Sequence, residues 1–178
     1  MIGSTDLYVL AGALSSEEES WTLRELAARL HVDHTLVHRA LKRTERAGLY
    51  RASSKQVNLP NFEEIMIHGA RFIAPAPLGE LTRGVSAAWA AEPISAIIHQ
   101  ADSEPPPVWP SALGTVRGQS LEPLHPAAVQ ASQDESALAR LLSIIDSLRA
   151  GDVRVRQVAT TALRDTLRRT EPPHRTAP

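Results

Sequence analysis

The sequence predicts a mainly α-helical protein, and three observations lead there. A pair of short helices with clear boundary residues lies between Thr22 and Gly48. Nine of the thirteen prolines fall between Pro75 and Pro126, where long regular elements are unexpected. Helical spacing of apolar residues then returns from Asp134 to about Arg169. The division expected is 1–70 as a first domain, 71–133 as an ordered irregular segment, 134–169 as a helical hairpin and 170–178 as a flexible tail.

Taken in chain order, Asp6 to Leu14 reads as a short apolar helix, and Ser15 to Ser20 as its exit loop. Thr22 and Glu25 form a capping box that starts the next helix, with Leu23, Leu26, Ala27 and Leu30 at helical spacing and Arg24, Glu25 and Arg29 left to solvent. His31-Val32-Asp33 is a three-residue turn in which Val32 is a buried plug and Asp33 the N-cap of the following helix. That helix, 34–47, turns Val37 and Leu41 inward and ends at Gly48, suited to a left-handed C′ position. Leu49 to Ala52 and Gln56 to Leu59 alternate as the strands of a hairpin around a polar tip, Ser53-Ser54-Lys55. Asn61 is placed as the cap of a helix through Phe62, Ile65, Met66 and His68 that stops at Gly69.

The middle keeps Phe72, Ile73, Leu81, Trp89, Ile94, Val108, Trp109 and Leu121, too many large apolar groups for a disordered linker. It reads as an ordered, loop-rich segment with short strands or turns, for instance Arg71 to Ala74, and a short helix near Ile94 to His99. Arg83 and Arg117, each beside a glycine, are either an anion or partner site or groups that bond backbone carbonyls. Beyond it, Asp134 to Ala150 and a second helix capped by Asp152 form the hairpin, the second arm carrying Arg154, Arg156, Arg164, Arg168 and Arg169.

Charge is unevenly placed. The chain has a net charge of −1, yet between His34 and Pro60 the six cations Arg39, Lys42, Arg43, Arg46, Arg51 and Lys55 face one acid, Glu45. A basic face on a helix-turn-helix suggests phosphate contact. With 178 residues and 43% hydrophobic content the chain can build a core, and with no cysteine it has no disulfide or thiol chemistry. The N-terminus shows neither a signal peptide nor a membrane span, so a cytoplasmic, nucleoid-associated protein without membrane contact is expected.

Enzymatic motifs are missing: no phosphate-binding, dinucleotide or nucleophile-elbow glycine pattern occurs, so no enzyme and no cofactor are expected. His31, His34 and His38 lack an acid to complete a metal set, and neutral hydrogen-bonding histidines are expected. His68, His99 and His125 are isolated in the sequence. Asp134, Glu135 and Asp146 read as caps and solvent-facing carboxylates.

The stretch from about Asp6 to Leu59 resembles the winged-helix DNA-binding domain of bacterial transcriptional regulators such as the MarR-like families. The residues that carry the likeness are L-x-x-L-A-x-x-L at Leu23 to Leu30, Val32 with Val37, L-K-R at Leu41 to Arg43 and A-G-L-Y at Ala47 to Tyr50. It covers about a third of the chain. His31 stands where a turn glycine is usual and must take a left-handed conformation, and Thr44 stands where a leucine often packs.

The resemblance implies a sequence-specific regulator of double-stranded DNA, a repressor, acting as a homodimer. It places His34, Thr35, Leu36, His38 and Arg39 near base edges, and Lys42, Arg43, Arg51 and Lys55 with the wing-tip Ser53 and Ser54 nearer phosphates. The Arg83-Gly84 and Val108 to Gly118 pieces with the hairpin behind them bear a fainter likeness to helix-turn-helix proteins of toxin–antitoxin or phage-defence loci; the alternative is a winged-helix protein-interaction module, an antitoxin or a chromosome-associated adaptor, with a toxin or defence protein as partner. For the dimer, the expected surface is the 134–169 hairpin, whose Leu141, Leu142, Ile144, Ile145 and Leu148 exceed one narrow stripe, or the N-terminal helix; the alternative for these side chains is a buried core packed against the irregular middle segment.

Overall fold

The computed structural model describes residues 1–16, 20–98 and 104–170, and it is mainly helical with two small sheets. Helix α1 (Ser4–Leu14) starts one turn before its apolar run, because the Asp6 carboxylate turns back to accept the Gly3 N–H at 2.9 Å. Leu7, Tyr8, Val9, Leu10 and Ala11 are all fully buried, so α1 is a core helix rather than a surface stripe. It lies close against the end of α2 (Leu23–Arg29): a Cβ on Gly12 would sit 2.5 Å from Leu30 Cδ2, and the Tyr8 hydroxyl donates to the Leu30 carbonyl at 2.9 Å.

The capping box at Thr22 and Glu25 forms as read, each side chain meeting the other's backbone N–H. At the turn, His31 takes φ 51° and Asp33 accepts the Thr35 N–H at 2.7 Å, starting α3 (His34–Arg46). Val32 is half-buried, packed against the core rather than plugged into it. Gly48 takes φ 73° after α3, and Asn58 and Asn61 both donate to its carbonyl. The hairpin is shorter than its alternation: β1 (Tyr50–Arg51) pairs antiparallel with β2 (Gln56–Val57), and Leu59 already begins α4 (Leu59–Glu64). Asn61 is thus a brace on Gly48, and the position before the helix belongs to Asn58.

Gly69 does not stop that helix. A π turn (Ile65–Gly69) carries it into α5 (Ala70–Ile73), so Arg71 to Ala74, read as a short strand or turn, is a helical turn and its cap. Gly69 holds helical dihedrals, and Ile65 and Ile73 close over the position where its side chain would be. Past Pro75 the proline-rich middle folds into a three-stranded sheet closed on itself, β3 (Leu81–Ser86), β4 (Pro107–Pro110) and β5 (Val116–Ser120), with β3 antiparallel to both others and β4 parallel to β5. Closure brings backbones into contact at glycines: a Cβ on Gly84 would lie 2.1 Å from the Trp109 carbonyl oxygen. The short helix near Ile94 is one 3₁₀ turn (Ile94–Ala96), and His99 and residues 171–178 lie outside the described residues.

The helical hairpin also differs in one respect. Asp134 ends a separate helix, α6 (Ala128–Asp134); Glu135 is extended, and α7 runs Ser136–Ala150 before α8 (Val153–Thr170), capped by Asp152 as read. Every residue of α7 from Leu141 to Arg149 is buried, polar ones included. The surplus apolar side chains therefore pack inward: Ile144 and Leu148 are 1% and 2% exposed and cannot form a dimer surface. The same holds for α1. One cluster of buried residues extends from Leu7 to Leu167 and crosses the boundaries expected at 70 and 133.

Asp146, expected in solvent, is 1% exposed. It accepts the Trp109 indole N–H at 2.7 Å and pairs with Arg149, whose Nε reaches the Ala74 carbonyl at 2.7 Å and whose Nη2 reaches that of Glu122 at 3.2 Å. Burial pushes the Asp146 carboxyl up, and Arg149 and the indole act against that rise. Replacing Arg149 with Ala leaves a buried carboxylate without its cation and is expected to cost about 3–5 kcal/mol in urea unfolding. A loss under about 1 kcal/mol contradicts this role.

His125 stacks on Tyr8 at 5.2 Å, and burial holds its pKa below the ordinary 6.5. As pH falls through 6.5 the unfolded chain takes the proton first, so stability contributed by the neutral ring is whole above 6.5 and declines below it. Unfolding measured between pH 8 and 5 is expected to show that decline, and His125→Phe to flatten it; an identical slope in the variant contradicts the assignment.

Candidate nucleic-acid interface

The amphipathic pattern of α3 decides which side chains a partner can reach. Val37, Ala40, Leu41 and Thr44 face the core, and His34, Thr35, His38, Arg39, Lys42, Glu45 and Arg46 are exposed along the other side. Thr44 is buried with its hydroxyl donated to the Leu41 carbonyl at 3.0 Å, so its polar group is satisfied inside the core. Leu36 is half-buried against the core rather than projecting, so little of it remains for a base methyl.

Arg43 is committed elsewhere. Its guanidinium forks onto Asp6, at 3.0 Å from Nε and 2.6 Å from Nη2 to Oδ1, and Asp6 itself is buried. That hydrogen bond raises the Arg43 pKa, and it pins the last turn of α3 to the first turn of α1. Arg43, expected near phosphates, is accordingly held within the fold by Asp6. Arg39, Lys42, Arg46 and Arg51 make no ion pair or side-chain hydrogen bond among the described residues.

The hairpin lies beside this helix, with Arg51, Ser53, Ser54, Lys55 and Gln56 exposed. Tyr50 points inward against Trp21, ring centroids 6.4 Å apart, and fixes the hairpin to the start of α2. Lys55 sits at φ 53° and its Nζ donates to the Trp21 carbonyl at 3.0 Å, so the tip is folded back toward α2 in this conformation. Hydrogen bonding at a helix start lowers both carboxyl pKa values, that of Asp33 through the Thr35 side chain and then its N–H, and that of Glu25 through the Thr22 N–H and then its side chain.

Two residues of the α2–α3 turn are held from the far end of the chain, a contact that no local pattern announces. The Arg29 guanidinium forks onto Glu135, and His31 Nε2 lies 2.7 Å from the Asp134 carboxylate. His31 therefore has an acidic neighbour, as neither His34 nor His38 has from outside its own turn, and no group of three or more metal-ligating side chains forms among the described residues. Arg83 bonds the Gly114 carbonyl, the structural alternative for that residue, and lies opposite Arg117 on the β3–β5 pair. No helix among the described residues is long and apolar enough to cross a membrane.

The chain matches no known protein family, no curated protein and no solved structure. Its functional reading therefore rests on its own residues.

The Arg29–Glu135 pair is about three-quarters buried on both sides, where a bidentate charged contact is worth more than on an open surface. A double-mutant cycle of Arg29→Ala and Glu135→Ala is expected to give a coupling of about 1–2 kcal/mol. Additive losses contradict the clamp.

Proposed function

We propose that the protein is a sequence-specific regulator of double-stranded DNA with a winged-helix arrangement, reading the major groove with α3 and bracing the backbone with the β1–β2 hairpin. The observation that carries this is the ridge of His34, His38 and Lys42 with Thr35, Arg39 and Arg46 on one exposed face of a helix whose other face is fully buried. A rigid cylinder with free cations along one side fits the groove's width and its charge. The partner acid on that face is Glu45, near the helix's C-terminal end and away from the residues that would enter first.

Within this reading the roles divide by position. His34, Thr35, His38 and Arg39, in the first half of α3, meet base edges, with Arg39 suited to bidentate contact with a guanine. Lys42, Arg46 and Arg51 meet phosphates, and Ser53, Ser54 and Lys55 approach the backbone from the hairpin. Arg43 and Leu36 support the helix from behind. Repression follows from occupancy of a promoter site, and a symmetric site requires a second copy docked through a surface other than α1 or the buried face of α7.

Selection from a random double-stranded pool by the intact protein, repeated across a salt series, tests the reading. An enriched motif with affinity falling as salt rises is expected; a dyad in that motif assigns a dimer and a single half-site a monomer. No enrichment, with binding to a protein partner instead, supports the interaction-module alternative. On the selected site, Arg39→Ala is expected to weaken binding by about 1–3 kcal/mol and to relax one position, whereas Lys42→Ala weakens selected and random DNA alike and lowers the salt slope by about one. Equal effects of Arg39→Ala on both DNAs remove it from base reading.

A further inference from the structure

Beside the Asp146 network, which shares Trp109 with it, the first half of α7 borders a half-open cleft of about 350 Å³, a volume in the range of small-molecule sites. It opens because the facing side chains are small: Ala87 and Ala91 follow β3, and Ala139 and Ser143 face them from α7. Trp109 and Val85 make one apolar wall. Ser143, almost fully buried, lines the cleft with its hydroxyl held by the Ala88 carbonyl at 2.7 Å and the Ala91 carbonyl at 3.2 Å. At the rim stand two opposite charges, Glu92 and Arg140, at 3.9 Å and both more than half exposed. At that length and exposure they gain little from each other, and each retains capacity for a ligand.

An apolar chamber with one carboxylate and one guanidinium side by side at its mouth is complementary to a molecule that carries an ammonium and a carboxylate on adjacent atoms and an apolar body behind them. We infer that this cleft is a binding site for a free α-amino acid with a large apolar side chain. Arg140 takes the carboxylate as a fork, Glu92 the ammonium, and the side chain enters against Trp109 and Ala139.

The site is connected to the α2–α3 turn. Ser132, Gln133 and Ser136 line one side of the cleft, and the two residues between them, Asp134 and Glu135, are those that hold His31 and Arg29. Occupation of the cleft bears on this α6–α7 break from one side while the turn hangs from the other. Its consequence for DNA rests on the function proposed above; the binding itself does not.

Calorimetric titration of the intact protein, without DNA, with L-phenylalanine, L-leucine, phenethylamine and 3-phenylpropionate tests the site. Saturable one-to-one binding of at least one amino acid is expected, with the analogues that lack the carboxylate or the ammonium at least tenfold weaker. Arg140→Ala, on an exposed side chain, is expected to weaken binding tenfold or more, and Ala139→Leu, with melting behaviour kept, to abolish it. In a parallel NMR titration the Arg29 and His31 amide signals shift with the same saturation. Absence of saturable binding by either amino acid, or binding unchanged in Arg140→Ala, overturns the inference; binding with motionless Arg29 and His31 signals overturns the connection to the turn.

Discussion

The buried pair of Asp146 and Arg149, with the Trp109 indole N–H as its third member, is the constraint on which the rest of the molecule depends. Two charges inside a core are costly unless every remaining hydrogen-bonding site is filled. Here the filling comes from parts of the chain far apart in sequence: β4 through Trp109, the end of α5 through the Ala74 carbonyl, and the segment before α6 through the Glu122 carbonyl. The three pieces must gather around α7 before the pair is satisfied. This explains how a segment rich in proline becomes ordered, since its short strands close a wall over a helix whose 141–149 stretch is buried on every side.

From α7 the order passes to the basic helix by two routes. Helix α1 packs against both α7 and α3, and Asp6 on it holds Arg43. The α6–α7 break holds Arg29 and His31 at the other end of the α2–α3 pair. A helix fixed at its back and at its preceding turn presents its exposed ridge with little freedom, which is what discrimination between base edges requires. The same attachments make the turn responsive to whatever changes the break.

Local features were legible in the sequence because their causes are local. The Thr22–Glu25 box, the Asp33 cap, the left-handed His31 and Gly48, and the inward Val37 and Leu41 follow from short spacings and are present. The exposed His34, Thr35, His38, Arg39 and Lys42 followed from the same periodicity. What the sequence left hidden are pairings across long separations: Arg43 with Asp6, Arg29 with Glu135, and Asp146 with Trp109, where each charged residue alone reads as solvated. The excess of apolar residues on α7 was visible, but whether it faces a second chain or an inner wall depends on the strands of the middle segment, which propensity does not place. Gly69 misled for a similar reason, since packing by Ile65 and Ile73 keeps it helical.

The central claim is that α3 belongs to the same cooperative core as α7 and is not carried on an independently folding unit. Native-state hydrogen exchange across low denaturant tests it most directly. The account predicts that the slowest amides of α3, at Val37, Leu41 and Thr44, and of α7, at Leu142, Ile145 and Leu148, open with the same free energy and the same denaturant dependence. Opening of the α3 amides at markedly lower free energy, while those of α7 stay protected, would contradict it.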